Sequence, residues 1–438
     1  MSKLSARERL EAALARIDDP EGEGARTCLT VYRDRAMAEA EAADARAKAG
    51  LSLGPMDGVI VSLKDLFDVA GDVTRAGSKV LAGEGKVAAK DAAAVRRLRA
   101  GGSIVVAKTN MSEFAFTGIG INPHFGTPGN PADRARAPGG SSSGAAVSVA
   151  DDMCEIAIGS DTGGSVRIPS ALCGVTGFKP SRQRVPTDGA FPLSYSLDSI
   201  GPLAKSVADC AKADQVLADA VMAGEAPWSL EAAPLAGLRL GVAQGLPLEN
   251  LDDTVGRRFP EALGRLEKNG VRLSYEKLPQ FDGMMQVLSR TSILVAEVYS
   301  IHRERLARRG GDIDPIVVGR VSKGADIIAA DYVIALRERA ALIREMDARL
   351  ADIDALVMPT TPIVAPRVDE LTDPKVFMAR NAMLLRNTTI GNFFDLTAVS
   401  LPLPRDGGLP VGLMLMTRNG HDRRLLRIAA AIEQMYGR

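Results

Sequence analysis

The sequence predicts an α/β fold, with a large mixed, mostly parallel sheet covered by helices on both faces. Three observations predict it. Short apolar runs alternate with amphipathic helical patterns along the chain. One βαβ-like unit can be read in full, with "GVIVSL" (58–63) and "SIVVAKT" (103–109) as buried strands on either side of the helical "DAAAVRRLRAGG". The 438 residues are 46% hydrophobic and 25% charged, which is enough apolar material for a large packed core.

The elements follow in chain order. "MSKLSARERLEAALARIDD" puts Leu10, Ala13, Leu14 and Ile17 on one helical face and lacks the apolar centre of a secretion signal, so a cytoplasmic protein is expected. In the helix of the βαβ unit, Asp91 is the expected cap and Gly101 the stop. Further strands are expected at "EIAIGS" (155–160), "LRLGVA" (238–243), "DALVMP" (354–359) and "VGLMLM" (411–416). Helical patterns at 206–222, 254–269, 331–350 and 422–435 separate several of them. No internal repeat is present, and no run of about 18 apolar residues predicts a membrane span. Residues 223–237, "AGEAPWSLEAAPLAG", read as a linker or a surface excursion. The tract from 120 to 140 holds too many Pro and Gly for regular structure, and a loop of that length inside a domain points to function.

Composition narrows the function. Lys plus Arg and Asp plus Glu both total 54, and no block of like charge stands out, which argues against nucleic acid or an anionic membrane as partner. The cysteines Cys28, Cys154, Cys173 and Cys210 are scattered, so buried reduced thiols are expected rather than disulfides or zinc. No His, Cys, Asp or Glu group has metal-ligand spacing, and neither metal nor cofactor is expected.

Two clusters remain, "GGSSSG" and "SDTGGS", each beside core-forming residues. Neither fits a phosphate loop, which would read G-x-x-x-x-G-K-[ST] or G-x-G-x-x-G between a strand and a helix. A linker would not run straight into "AAVSVA" and "CEIAIG". The hydroxyl-site reading fits better. Ser165 follows a predicted strand on a tight turn, where open α/β sheets bind ligands, and Gly163 and Gly164 allow consecutive N–H groups to converge on one point. A serine hydroxyl needs a proton acceptor. His124, His302 and His421 lack a companion carboxylate in any motif, and no G-x-S-x-G surrounds Ser165. Lys64 ends an apolar strand, where burial would lower its pKa toward that of a general base; the alternative is a pair with Asp65 or Asp68.

In this order and spacing, "GPMDGVIVSLKDLFDVAG", "APGGSSSG" and "GSDTGGSVRIPSALCGVTGFKPS" resemble the amidase signature family of serine amidohydrolases. The resemblance runs on through "SLDSIGPLAKSVADCA", "DALVMPTTP", "FFDLTAVSLPLP" and "GLPVGLMLM", and so covers most of the chain. It implies one domain over 1–438, with a catalytic core at about 50–222, and a Ser-cisSer-Lys triad. By its motifs the nucleophile matches Ser165, the lysine Lys64 and the bridging serine Ser141, with a cis peptide between Gly140 and Ser141. It implies an oxyanion site at the N–H groups of Thr162, Gly163, Gly164 and Ser165, with Ser142 as a supporting group. Arg167 is expected to pair with Asp161 and hold the serine loop, with a substrate carboxylate as its alternative partner. Pocket walls are expected from 111–128 and 380–395. Asp151 and Asp152 depart from the small residues common at their place.

The implied activity is hydrolysis of a small-molecule amide to acid and ammonia or amine. The later half favours a free-standing amidase over the A subunit of a glutamine-dependent tRNA amidotransferase. A homodimer is compatible with it, and a non-catalytic partner-binding protein on the same fold is the remaining alternative.

Overall fold

Apolar runs become strands when their neighbours satisfy the backbone, and here they do so in a single sheet. The computed structural model describes residues 4–219, 229–405 and 407–437. Among these residues the strands are β1 Cys28–Val31, β2 Ile60–Lys64, β3 Ile104–Thr109, β4 Ile156–Asp161, β5 Thr176–Lys179 and β6 Ser199–Ala204. They continue with β7 Arg239–Ala243, β8 Arg272–Glu276, β9 Ala355–Pro359, β10 Thr397–Pro402 and β11 Gly412–Thr417. Their spatial order is β1-β3-β2-β4-β6-β5-β10-β11-β9-β7-β8.

The sheet is mixed, but it is not mostly parallel. Only β3/β2, β2/β4, β9/β7 and β7/β8 pair in parallel, while the remaining neighbours run antiparallel. The expectation came from the two flanks, where apolar strands alternate with helices. The middle is built from β5, β6 and β10, whose sequences "TGFK", "SIGPLA" and "TAVSLP" carry Gly and Pro. Such residues argue against a central strand when read alone.

Helices cover both faces. Along β2, Ile60 packs into the cluster formed with the helices Ala6–Asp18 and Ser143–Ala150, while Val61 and Leu63 pack into the larger one with Ala93–Ala100 and Asp422–Met435. This is the alternation a strand buried on both sides requires. Each such side chain contributes about 1.5–3 kcal/mol by leaving water. The expected helices lie at Val207–Leu217, Asp253–Lys268, Ala329–Arg349 and Asp422–Met435. The last residues of the predicted 206–222 fall outside the described residues.

Asp91 does not cap its helix. Ala92 takes that position, and Asp91 instead accepts the Ala70 N–H at 2.7 Å and pairs with Arg99 at 2.5 Å. Gly101 does end the helix. In the 223–237 segment, residues 223–228 lie outside the described residues. Beyond them Leu230, Ala232, Ala233 and Leu235 pack against the main core, and the chain enters the same sheet at β7. Among the described residues no helix is long and apolar enough to cross a membrane.

Candidate active site

The parallel pair β2/β4 brings two strand ends to one edge of the sheet, with Leu63 opposite Ile158. Lys64 closes β2, and Ser160 and Asp161 close β4. Lys64 is fully buried, and its Nζ donates to Ser141 Oγ at 2.7 Å and to Ser160 Oγ at 2.9 Å. Burial pulls its pKa down from 10.5 to about 7, against the opposing charges of Asp198 and Asp161. At that value the amine is neutral in a large fraction of molecules near neutral pH.

The two carboxylates offered as alternative partners of Lys64 are engaged elsewhere. Asp65 pairs with Lys108 at 3.1 Å and Arg75 at 3.4 Å, and Asp68 accepts the Thr74 hydroxyl at 2.7 Å. Successive residues leave a strand on opposite faces, so Asp65 cannot reach the amine that Lys64 presents.

Ser141 follows Gly140 through a cis peptide bond. Gly140 is in a tight place: its N–H donates to Gly118 O at 2.9 Å, and a Cβ there would meet Gly120 N and Ser112 Oγ at 2.7 Å. Only glycine fits. The next residue ties the two serine clusters together, since Ser142 N donates to Ser165 O at 3.3 Å and Ser142 Oγ to Ser160 O at 3.3 Å.

Ser165 sits on the turn beyond β4, just before the helix Arg167–Cys173, and is 5% exposed whereas Ser141 is 0% exposed. Both serines are therefore buried, Ser165 the less completely. The turn is shaped by its surroundings. Gly164 has φ +134°, and a Cβ there would lie 2.1 Å from Thr388 Oγ1. That hydroxyl donates to Gly163 O at 2.6 Å, and Thr162 Oγ1 donates to Asp198 Oδ1 at 2.6 Å. The N–H groups of Gly163, Gly164 and Ser165 donate to no protein acceptor among the described residues.

Asp161 and Arg167 brace the turn from below. Arg167 Nη2 and Nε donate to Asp161 at 2.8 and 3.0 Å, both residues are fully buried, and Asp161 also accepts the Val166 N–H at 3.1 Å. Burial alone would raise the Asp161 carboxyl, but the Arg167 charge and hydrogen bonds, with Lys179 and Asn392, hold it down at about 2. Arg167 Nη2 donates in addition to Asn392 Oδ1 at 2.7 Å. Arg167 is thus engaged within the fold and is not presented to a substrate.

The histidines stand elsewhere. His124 Nε2 lies 3.0 Å from Glu113 Oε1, and His421 precedes the last helix. His302 is buried against Phe114 and Phe191, where burial and Arg305 lower its pKa to about 3. All four cysteines are free and buried. Asp151 and Asp152 pair with Arg134 and Lys205.

The two expected wall segments meet each other, and 380–395 reaches the serine turn. Asn381 Oδ1 accepts the Gly118 N–H at 2.8 Å, and a Cβ at Gly163 would touch Leu385 at 3.4 Å. Four contributors could not be told from the sequence. Ser160 was visible only as a polar residue closing an apolar strand. Asp198 stood in a quoted motif without a role. Thr388 and Asn392 lie four apart, on one face of the helix Pro374–Phe393.

A model of the Amidase family matches residues 8–426. The chain is 34% identical, over 469 aligned positions, to the A chain component of the glutamyl-tRNA(Gln) amidotransferase of Symbiobacterium thermophilum, covering 99% of this chain and 94% of that one. It is 35% identical over 409 positions to the 2-amino-5-chloromuconic acid deaminase of Comamonas testosteroni, covering 92% and 87%. A crystal structure of an amidase superposes with a TM-score of 0.86 at 31% identity, covering 99% of this chain and 97% of that one. The chain belongs to the amidase signature family and is an amide-hydrolysing enzyme.

Proposed function

We propose that the enzyme hydrolyses a small carboxylic amide through an acyl-enzyme on Ser165, with Lys64 and Ser141 as its proton relay. The observation that carries this reading is the 2.7 Å contact between a buried, partly neutral Lys64 amine and Ser141, on the loop tied to Ser165. Neutral Lys64 takes the Ser141 proton as Ser141 takes that of Ser165. Ser165 Oγ then bonds to the amide carbon, and the carbonyl oxygen, now an anion, is received by the N–H groups between Thr162 and Ser165. The C–N bond breaks as the proton returns through Ser141 to the leaving nitrogen. Water gives up a proton along the same relay, attacks the ester and releases the acid, restoring Ser165.

Arg320 supports a substrate class. It lies on the helix Pro315–Val321, its guanidinium sits 4.0 Å over the Phe116 ring, and it donates to the Phe116 carbonyl. Phe116 is two residues from Gly118, which holds Gly140. Arg320 forms no ion pair among the described residues. Burial lowers its pKa to about 10, which leaves it a cation at neutral pH. An amide that also bears a carboxylate would supply the missing anion.

We read the enzyme as free-standing. The similarity to a deaminase and to an amidase supports this, while further amidotransferase A subunits at 32 to 35% identity keep the second reading in play. Glutamine itself carries an amide and a carboxylate. The test is ammonia release by the purified chain from carboxylated, aliphatic and aromatic amides and from glutamine. Turnover of a carboxylated amide, lost in Arg320→Ala, supports the reading. Turnover of uncharged amides alone overturns the carboxylate class, and activity on glutamine only with added subunits overturns the free-standing role.

A further inference from the structure

Asp198 has no step in the mechanism above, yet it touches the turn on which the mechanism depends. It immediately precedes β6, and β6 pairs with β4 so that Ser199 lies opposite Asp161. That register sets Asp198 against Thr162. Its Oδ1 accepts the Thr162 hydroxyl at 2.6 Å, and its Oδ2 accepts the Leu193 N–H at 3.0 Å. Asp198 is partly buried, and no Lys, Arg or His pairs with it among the described residues.

The loop that carries Asp198 is held from behind. Asp198 N donates to Ser194 O at 3.2 Å, and the Ser194 hydroxyl donates to Glu297. Glu297 also accepts the Ser196 N–H at 3.2 Å and the Tyr332 hydroxyl at 2.7 Å. A carboxylate with no direct ion pair among the described residues has thus been fixed against the first residue of the serine turn. For a turn that needed only to be stable, a neutral acceptor would serve as well, without the cost of partly desolvating a charge.

We propose that Asp198 is a positioning residue for the amide hydrolysis inferred above, and the proposal rests on that reading: its carboxylate holds the Thr162 hydroxyl, and with it the turn that carries Ser165 and the oxyanion donors. Its charge also acts on the relay. The groups acting on Lys64 are the Ser141 and Ser160 hydroxyls and the charges of Asp198 and Asp161, and both charges favour the ammonium. Burial pushes the Asp198 carboxyl up to about 6, against its bonds to Thr162, Leu193 and Ser194 and the charge of Lys64. Near neutral pH it is mainly the anion. Removing that anion should let Lys64 lose its proton at lower pH.

The test uses the rate at which a fluorophosphonate labels the full chain between pH 5 and 9, and needs no substrate. Asp198→Asn and Thr162→Val should each slow labelling roughly ten- to a hundredfold, the loss of one hydrogen bond to a charged group. The double variant should be no slower than the slower single one, because both remove the same contact. Thr162→Ser should label near the wild-type rate. Asp198→Asn should move the acid limb of the profile to lower pH by about half a unit, whereas Thr162→Val, which keeps the carboxylate and removes only one of the bonds that favour its anion, should move it less. A merely structural contact would not separate the two variants in this way. Should Asp198→Asn fail to fold, the Thr162→Val and Thr162→Ser pair still decides the positioning role. Wild-type labelling with the wild-type profile in both Asp198→Asn and Thr162→Val overturns the proposal. Undiminished labelling of Ser165→Ala overturns instead the nucleophile reading on which it rests.

Discussion

Lys64 and Lys108 lie on neighbouring strands, one register position apart, and both are fully buried. Their surroundings are opposite in kind. Lys108 pairs with Asp65 at 3.1 Å and Asp72 at 3.9 Å, and donates to Val73 O at 3.1 Å. Lys64 touches two serine hydroxyls and pairs with no carboxylate among the described residues. Parallel pairing sets Lys108 opposite Leu63, so its side chain leaves the face of the sheet that Lys64 does not use. One face supplies carboxylates and makes a structural cation. The other puts hydroxyls in direct contact, with the carboxylates of Asp198 and Asp161 acting from further off, and makes the base of the proposed relay. Burial is common to both, so burial alone does not make a lysine catalytic; the partner atoms do.

The hardest blow to this contrast is Lys64→Arg. A guanidinium is charged at every accessible pH and cannot accept a proton, so kcat/KM should fall by roughly 10²–10⁴, and Lys64→Ala should fall as far. In the wild type the rate should rise with pH through about 7, because the protonated amine is inactive and the neutral one active. A pH–rate profile on one amide checks both statements. Near-wild-type rates in Lys64→Arg with the same profile would remove Lys64 from the relay.

The converse substitution, Lys108→Met, breaks the pair on the other face. Asp65 would keep Arg75, at 3.4 Å, as its remaining charged partner in a fully buried position. Taking one partner from a buried ion pair costs about 3–5 kcal/mol, which urea unfolding should show as a lower midpoint. Activity per folded molecule should change little. A variant as stable as the wild type would mean that the two lysines are less different than their partners suggest.

The two sites were not equally legible beforehand. Lys64, Ser141 and Ser165 stand in local motifs, where a lysine closes "GVIVSL" and serines follow paired glycines. The strands with unbroken apolar runs, β2, β3, β4, β7, β9 and β11, could be read for the same reason: their signal lies within a few consecutive residues. The rest is a product of distance. β5, β6 and β10 are central strands by virtue of their neighbours, and Pro202 in β6 argues locally against a strand at all. Ser160, Asp198, Thr388 and Asn392 join the site through pairing and helix docking that no short window contains. Asp91 looked like a helix cap from spacing alone, but Ala70 and Arg99 engage its carboxylate.

A smaller effect is expected one atom further along the relay. Ser141→Ala removes the hydroxyl that accepts from Lys64 at 2.7 Å and that the proposed relay sets before Ser165, while the loop and the amine remain. The rate should fall by about 10²-fold, at the low end of the range for a proton-transfer group, because a water admitted to the space left by Oγ can relay the proton. Steady-state kinetics beside Lys64→Ala makes the comparison. Equal losses would mean that the serine, and not the amine, limits proton transfer.

The last prediction returns to stability, where the two lysines should part with the smallest margin. Lys64 has a folded pKa of about 7 against an ordinary value of 10.5, so between these values the unfolded chain binds the proton more tightly than the fold does. The sign follows: stability due to this group is greatest above pH 10.5, declines as pH falls toward 7, and reaches its floor below 7. Lys64→Met has no such proton to bind. It leaves the Ser141 and Ser160 hydroxyls without the amine, a cost of about 1–3 kcal/mol that does not vary with pH. The difference in unfolding free energy between Lys64→Met and wild type should therefore shift toward the variant by about 2.7 kcal/mol from about pH 9 to about pH 6. Urea titrations at several pH values measure it. A difference that stays flat across that window would mean that Lys64 is an ordinary ammonium in the fold, and would leave the relay without its base.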